Sequence, residues 1–274
     1  MIWPVVDEAL RAAGTSLHDL SAIAVCHGPG LIGSLLVGCS FAKALSFTHR
    51  IPLVSVNHLE GHILSCFLEH RPEFPFVSLI VSGGHTSLYR VDAFGSYREL
   101  GRTRDDAAGE AYDKIAKVLG LGYPGGPAID QCARSGNAEA VEFPRAYLPE
   151  SLDFSFSGIK TAVVQYLRNG ETASVEDICA SFQRAMVDVL VRKTEWALRK
   201  EGAGRVTLSG GVDANSLLRE EFSRMAEGRG AEVFIPSMTL CTDNAAMIAA
   251  AGYHRYVGGE RAGMDLNPAA YLPL

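Results

Sequence analysis

Short apolar runs that stop at glycine and hand over to a helical pattern recur along this 274-residue chain, and few folds accommodate that rhythm. Ala22-Ile23-Ala24-Val25-Cys26 is one such run, closed by Gly28-Pro29-Gly30 and followed by a helical stretch from about Leu31 to Thr48. Pro52 to Val56 is a second, leading into a helix that begins near His58. A strand apolar on both faces is covered on both faces, so the pattern predicts α/β layering with sites at strand ends. Hydrophobic residues make up 47% of the chain, enough for a substantial core and too many for a disordered one.

The middle of the chain reads differently. Phe76 to Ser82, His85 to Val91 and Tyr97 to Arg102 predict an antiparallel meander turned at Gly83-Gly84. Helices are expected over residues 5–13, 106–119, a short stretch through Asp130, and 157–202 with a break at Asn169-Gly170. Residues 136–156 read as irregular. Arg205 to Ser209 predicts a strand, Asp213 to Gly228 a helix, Glu232 to Ile235 a strand and Asp243 to Val257 a last helix. The stretch 126–202 is expected to be a helical insertion or part of a second domain.

A net charge of −6 does not advertise nucleic-acid binding. The cluster Arg98, Arg102 and Arg104 reads first as solvated surface charge. Six scattered cysteines without a C-x-x-C pair argue against a zinc knuckle or a disulfide framework and predict a reduced, cytoplasmic protein. Met1-Ile2-Trp3-Pro4 does not open a signal peptide. The uncharged run Leu20 to Ala42 is interrupted at residues 27–30, so no membrane span is expected.

His58-Leu59-Glu60-Gly61-His62 places two imidazoles four residues apart, roughly 40° around a helix axis and on one face. Such a pair can chelate one ion. Glu60 lies about 200° from His58 around the axis, so this is not the metalloprotease H-E-x-x-H arrangement and Glu60 is a poor water-activating base. A third ligand should be a carboxylate from elsewhere; Asp243 is one candidate, although an aspartate at a helix start is often just an N-cap. Val81-Ser82-Gly83-Gly84-His85 and Ser209-Gly210-Gly211-Val212 are similar strand–turn signals, of the kind that lets backbone N–H groups approach a phosphate. Neither fits a P-loop. Asp105 and Asp106 are accounted for by the dipole of the helix they open. Asp113 and Asp130 are placed to accept hydrogen bonds from ribose hydroxyls.

With these segments the chain resembles the tRNA N6-adenosine threonylcarbamoyltransferase (TsaD) family. The resemblance is carried by Gly28-Pro29-Gly30-Leu31, His58 to His62, Val81 to Thr86, Asp105 to Glu110, Tyr123 to Pro127, Phe154 to Val163, Ser209 to Val212 and Cys241-Thr242-Asp243-Asn244, in family order over nearly the whole chain. It implies an actin/hexokinase/Hsp70-like (ASKHA) fold, two α/β lobes around a nucleotide cleft, expected here over residues 1–105 and 106–274 with the last helix packing back toward the first lobe. It implies that His58, His62 and Asp243 hold one divalent metal, iron usually and zinc sometimes. Val81, Ser82, Gly83, Gly84, His85, Asp113, Gly126, Asp130 and Asn215 would bind threonylcarbamoyl-AMP, or ATP or AMP. The implied reaction moves the threonylcarbamoyl group to N6 of adenosine 37 in tRNA. No catalytic base is implied.

The implied partners are tRNA, a related dimerising subunit (TsaB-like) on the helical face from Leu31 to Phe47, and an ATPase subunit (TsaE-like), with no membrane. Family members begin with a strand and hairpin bearing an E-T-S-C-D-E-T-type motif; this chain begins after it, so the first strands of lobe one are expected to be absent. Some relatives take a tyrosine ligand from the strand before Gly83; Phe76 to Ser82 offer none, so water or substrate is expected at the open metal position. Two other readings remain open: an inactive scaffold subunit of the same complex, and a small-molecule kinase of the same fold. The histidine pair counts against the kinase, because such enzymes hold magnesium mainly with carboxylates and phosphate.

Overall fold

The structure is a computed structural model that describes residues 2–170 and 172–274. From the N-terminus the elements are α1 (Ile2–Ala12), β1 (Ile23–Gly28), α2 (Ile32–His49), β2 (Leu53–Asn57), α3 (His58–Leu64), β3 (Phe76–Val81), β4 (Thr86–Ala93) and β5 (Ser96–Arg102). They continue with α4 (Ala108–Val118), α5 (Gly125–Ala133), α6 (Ser157–Arg168), α7 (Val175–Glu201), β6 (Arg205–Ser209), α8 (Ser216–Gly228), β7 (Glu232–Phe234), α9 (Met238–Cys241) and α10 (Ala245–Val257). The chain divides into two compact units, residues 1–68 with 244–274, and residues 69–243.

In the first unit β1 and β2 pair in parallel, Ile23 opposite Leu53 and Cys26 opposite Val56. Alternate residues of β1 serve opposite faces. Val25 meets α2 at Gly38, and Ala24 meets α10 at Gly252, where a methyl group would collide with the Ala24 side chain. The polar ends of this small sheet are tied by the C-terminal tail. Ala262 N–H donates to the Leu53 carbonyl at 2.8 Å, Ala269 N–H to the His27 carbonyl at 2.8 Å, and the Lys43 ammonium to the Leu266 carbonyl at 3.0 Å.

The second unit is built on a five-stranded sheet in the order β5-β4-β3-β6-β7. The meander β3-β4-β5 is antiparallel, as its sequence predicts, but β3 also pairs in parallel with β6, Ile80 opposite Ser209. That pairing corrects the expected boundary at residue 105. Residues 76–102 share a sheet with residues 205–234, so the meander belongs with the chain that follows it. β3 is buried along its whole length. Helix α7 begins at Ser174, whose hydroxyl accepts from Asp177 N–H, and ends at Gly202 in the left-handed region.

The stretch expected to be irregular is ordered because α7 satisfies its backbone. Asn137 N–H donates to Asp177 at 2.7 Å, Val141 N–H to the Ser181 hydroxyl at 3.2 Å, and the buried Lys193 ammonium to the Leu148 and Ser151 carbonyls at 3.2 and 2.5 Å. The segment 126–202 thus contributes Ile129, Phe154, Phe182 and Leu190 to the main core rather than standing apart as an insertion.

Asp105 and Asp106 do not open α4, which starts at Ala108 after the cap residue Ala107 with Glu110 as the acid of its first turn, so its dipole does not account for them. Asp105 accepts from Phe156 N–H at 2.8 Å and the Ser157 hydroxyl at 2.8 Å, which caps α6, and Asp106 takes Lys114 and Lys160 at 2.8 Å each. The arginine cluster is ordinary surface charge with acidic neighbours: Arg98 pairs with Glu201 at 2.5 Å, and Arg104 with Asp153 at 2.8 Å. No described helix is long and apolar enough to cross a membrane.

Gly210 is the residue on which the β3–β6 edge turns. Its φ is +98°, and a Cβ there would stand 2.5 Å from the Val81 carbonyl oxygen of the adjacent strand. Gly210→Ala therefore combines left-handed strain with a backbone collision and is expected to cost more than about 2 kcal/mol of unfolding free energy. Urea denaturation checks this; a loss below about 0.5 kcal/mol would contradict the close approach.

Candidate functional site

Parallel pairing of β3 and β6 brings both glycine turns to the same edge of one sheet. Gly83-Gly84 is a hairpin, closed by Ser82 N–H donating to the His85 carbonyl at 2.7 Å and His85 N–H donating to the Ser82 hydroxyl at 3.1 Å. No helix follows it directly. The helix behind it is α4, whose Gly109 N–H donates to the Ser82 carbonyl at 3.2 Å, and a Cβ on Gly109 would lie 2.8 Å from Gly83 Cα. Glycine at 109 is what lets the helix start press against the turn. The second turn runs from Gly210 into a 3₁₀ segment, Gly211–Ala214. The helix expected from Asp213 begins instead at Ser216, because Asn215 is the cap: its side-chain oxygen accepts from Leu218 N–H at 2.9 Å.

Between these turns the second unit holds a cavity of about 560 Å³. Of the residues expected to bind an adenylate, Gly83, Asp113, Gly126, Asp130 and Asn215 line it. Val81, Ser82, Gly84 and His85 do not; Val81 is a buried strand residue, and Ser82 and His85 close the hairpin. Asp113 accepts from Gly125 N–H at 2.7 Å, which ties α4 to the start of α5 and aims the carboxylate at the cavity wall. Gly125 is required there, since a Cβ would stand 2.6 Å from Asp113 Cα. Asp130 accepts from the Ser216 hydroxyl at 2.8 Å and from Arg134 at 3.3 Å. Asn215 donates to Gln183 at 2.8 Å. One acid within α4, one within α5 and the amide that caps α8 are thus fixed by their own hydrogen bonds before any ligand arrives.

Sequence reasoning assigned no ligand role to Tyr112, Tyr123, Arg134, Met238 and Thr242, which also line the cavity, as does Gly211 of the second glycine turn. Tyr112 is buried against Phe182, and its hydroxyl makes no hydrogen bond among the described residues. Its signal was only adjacency to Asp113, and an apolar helix face hides such a hydroxyl.

In the first unit Asn57 caps α3 through Leu59 N–H at 2.9 Å, which starts the helix at His58. His58 and His62 share one face, with ring centroids 4.7 Å apart and planes at 82°. His62 is fully buried. Glu60 points elsewhere: it is 1% exposed and accepts from Arg255 of α10 at 2.6 Å. Gly61 lies under the same helix, where a Cβ would meet Ile248 at 2.9 Å. The cap of α10 is Asn244, accepting from Met247 N–H at 2.8 Å, and not Asp243 as the sequence allowed. Asp243 is bonded directly to that cap, two residues ahead of the first residue of the helix that packs on α3. A ring nitrogen of each histidine and a carboxylate oxygen of Asp243 lie within 4.8 Å of one another. Two imidazoles and one carboxylate form a donor set that suits a divalent transition metal.

Asp213 sits behind the cavity wall, fully buried. Burial pushes its carboxyl up to about 7, opposed by contacts with Cys241 and Arg219. An acid whose pKa rises on folding holds its proton more tightly in the folded chain. Folding is therefore penalised as pH climbs from the ordinary value of 3.8 through about 7, and the penalty is constant above that. Asp213→Asn is expected to be more stable than the parent at pH 8, by on the order of a few kcal/mol, with the difference vanishing near pH 4. Denaturation at several pH values checks this; a pH-independent difference would contradict it.

The architecture is that of the actin/hexokinase/Hsp70-like α/β proteins. Full-length HypF in its phosphate- and nucleotide-bound form superposes with a TM-score of 0.69 at 15% identity, covering 93% of this chain and 49% of that one. The activator of 2-hydroxyisocaproyl-CoA dehydratase from Clostridium difficile, with bound ADPNP, superposes at 0.53 and 14% identity over 95% and 84%. Sequence narrows the class. The family model described as tRNA N6-adenosine threonylcarbamoyltransferase (TsaD) matches residues 1–250. A relative of that name from Thermodesulfovibrio yellowstonii is 58% identical over all of this chain and 84% of its own length, and one from Anaeromyxobacter sp. is 56% identical over 97% and 82%. The chain belongs to the tRNA N6-adenosine threonylcarbamoyltransferase family.

Proposed function

We propose that this chain transfers the threonylcarbamoyl group of threonylcarbamoyl-AMP to N6 of adenosine 37 in tRNAs that read codons beginning with A. The observation that carries this reading is the cavity bounded by two glycine turns, with Asp113, Asp130 and Asn215 on its wall, in a chain of this family. The turns offer backbone N–H groups to the adenylate phosphate. Asp113 and Asp130 accept from the ribose hydroxyls, and the apolar sides of Tyr112 and Pro127 cover the base.

In the reaction N6 attacks the carbamoyl carbon, a C–N bond forms, and the bond from that carbon to the phosphate oxygen breaks with its electron pair on AMP. The lost N6 proton passes to the departing phosphate or to water. The chain's own contribution is orientation and exclusion of bulk water, which together convert a weak amine into an adequate nucleophile. His58, His62 and Asp243 would hold the metal, Fe²⁺ first and Zn²⁺ second, and a divalent ion held there would supply Lewis acidity to the transfer.

The tRNA partner follows from this reading. A TsaB-like dimerising subunit is supported by the exposed apolar residues Leu31, Ile32, Leu36, Val37 and Phe47 along α2 and its start, and a TsaE-like ATPase subunit and a cytoplasmic site of action accompany it.

The test is incubation of the chain with threonylcarbamoyl-AMP and unmodified tRNA, read by nucleoside mass spectrometry. Threonylcarbamoyl-adenosine is expected, and ATP-dependent phosphorylation of a small molecule without tRNA would favour the kinase reading instead. Asp113→Ala is expected to weaken AMP binding at least tenfold, by loss of hydrogen bonds to a charged acceptor. His62→Ala should leave less than about a tenth of the bound metal, whereas Glu60→Gln should keep it. Undiminished metal in His62→Ala contradicts the site.

A further inference from the structure

We propose that Arg219 is a positioning residue that sets the Cys241-Thr242-Asp243 segment, and through it both the wall of the nucleotide cavity and the carboxylate of the metal group. This rests on the metal and nucleotide reading above. Arg219 lies on the first turn of α8 and does not line the cavity. Its guanidinium instead clasps three pieces of chain that meet behind the cavity wall. Nε donates to the Asp213 carbonyl at 2.7 Å, and Nη2 donates to the Pro236 carbonyl at 2.7 Å and to Cys241 Sγ at 2.9 Å. Nη2 also stands 3.4 Å from Asp213 Oδ1.

Each clasped piece leads to the site. Asp213 sits in the 3₁₀ turn whose Gly211 and Ala214 line the cavity. Pro236 precedes α9, whose Met238 lines it. Cys241 ends α9 and is followed by Thr242, which lines the cavity, and then by Asp243. The thiol of Cys241 is turned inward, fully buried, with Ser237 O at 3.2 Å, so the segment's anchor is on the side away from the ligand.

The chemistry selects arginine. One planar fork reaches a backbone carbonyl with Nε and another carbonyl and a sulfur with Nη2, directions that a lysine ammonium on a flexible stem cannot hold together. The buried Asp213 carboxylate is the only acid among the described residues with an ion-pair contact to this guanidinium, and its Oδ2 has no hydrogen-bond partner. A carboxylate kept in such a place is costly. It is consistent with a brace whose geometry matters beyond the stability it adds.

The test uses the full chain and two probes, Co²⁺ for the metal group and AMP for the cavity. Arg219→Lys keeps the charge and loses the fork. Because a lone buried charge can unfold a protein, the double variant Asp213→Ala with Arg219→Met, which removes both charges, is made beside it. Both are expected to fold, by circular dichroism, and to bind Co²⁺ about tenfold or more weakly, with AMP affinity falling in parallel. Folded variants that bind both probes within about twofold of the parent overturn the inference, because a purely structural arginine would lower only the melting temperature. His62→Ala separates the two layers. If it abolishes Co²⁺ binding while the Arg219 variants leave it unchanged, this inference alone fails. If Co²⁺ binding is indifferent to His62, the metal reading fails and takes the inference with it.

Discussion

The parallel pairing of β3 with β6 is the constraint on which the second unit depends. It joins strands separated by more than a hundred residues, and it puts the turn after each strand at one edge of the sheet. Everything in the cavity is arranged from that edge. Gly210 is glycine because Val81 passes behind it, and Gly109 is glycine because the hairpin presses on the start of α4. Once the turns are fixed, α4, α5 and α8 present their ends to one volume, and the acids there are locked by local hydrogen bonds rather than by a ligand. A site preformed in this way spends little binding free energy on ordering itself.

In the first unit the corresponding role falls to α10. It packs on β1 through Gly252 and on α3 through the contacts around Gly61, and Arg255 neutralises the buried Glu60 between the two histidines. The charge pair explains why a glutamate sits in the H-x-x-x-H segment without facing the metal side. Its partner is on another helix, so its job is to hold α3 and α10 together. Removing Arg255 leaves the Glu60 charge buried and is strongly destabilising, whereas removing the Glu60 charge leaves Arg255 part-exposed and still paired with Glu260.

Much of this was legible in the residues. Period, glycine turns and the i, i+4 histidines predicted strands, helices and the shared face of His58 and His62, because those signals are local. Long-range pairing was not. Nothing in residues 76–102 says that β3 will find β6, so the expected boundary at 105 cut through a sheet. Helix starts were placed early where a second polar residue follows the first: Asn244 takes the α10 cap after Asp243, and Asn215 takes the α8 cap two residues after Asp213. Buried polar groups were the least visible. Tyr112, Asp213 and Arg219 look like ordinary helix residues until packing places Tyr112 on the cavity wall and Asp213 and Arg219 behind it. The family resemblance supplied residue roles that spacing alone could not choose between, and the structure sorts the ones that line the cavity from those, such as Val81 and Ser82, that support the turn.

The central claim is that the two glycine turns jointly receive the phosphate end of an adenylate. Amide hydrogen exchange, resolved to single residues and measured with and without AMP, tests it most directly. The account predicts slowed exchange at both turns together, around Gly83-Gly84 and around Gly211-Val212, with little change in the distant strand β5. Protection confined to one turn, or absent from both while AMP is bound, would contradict it.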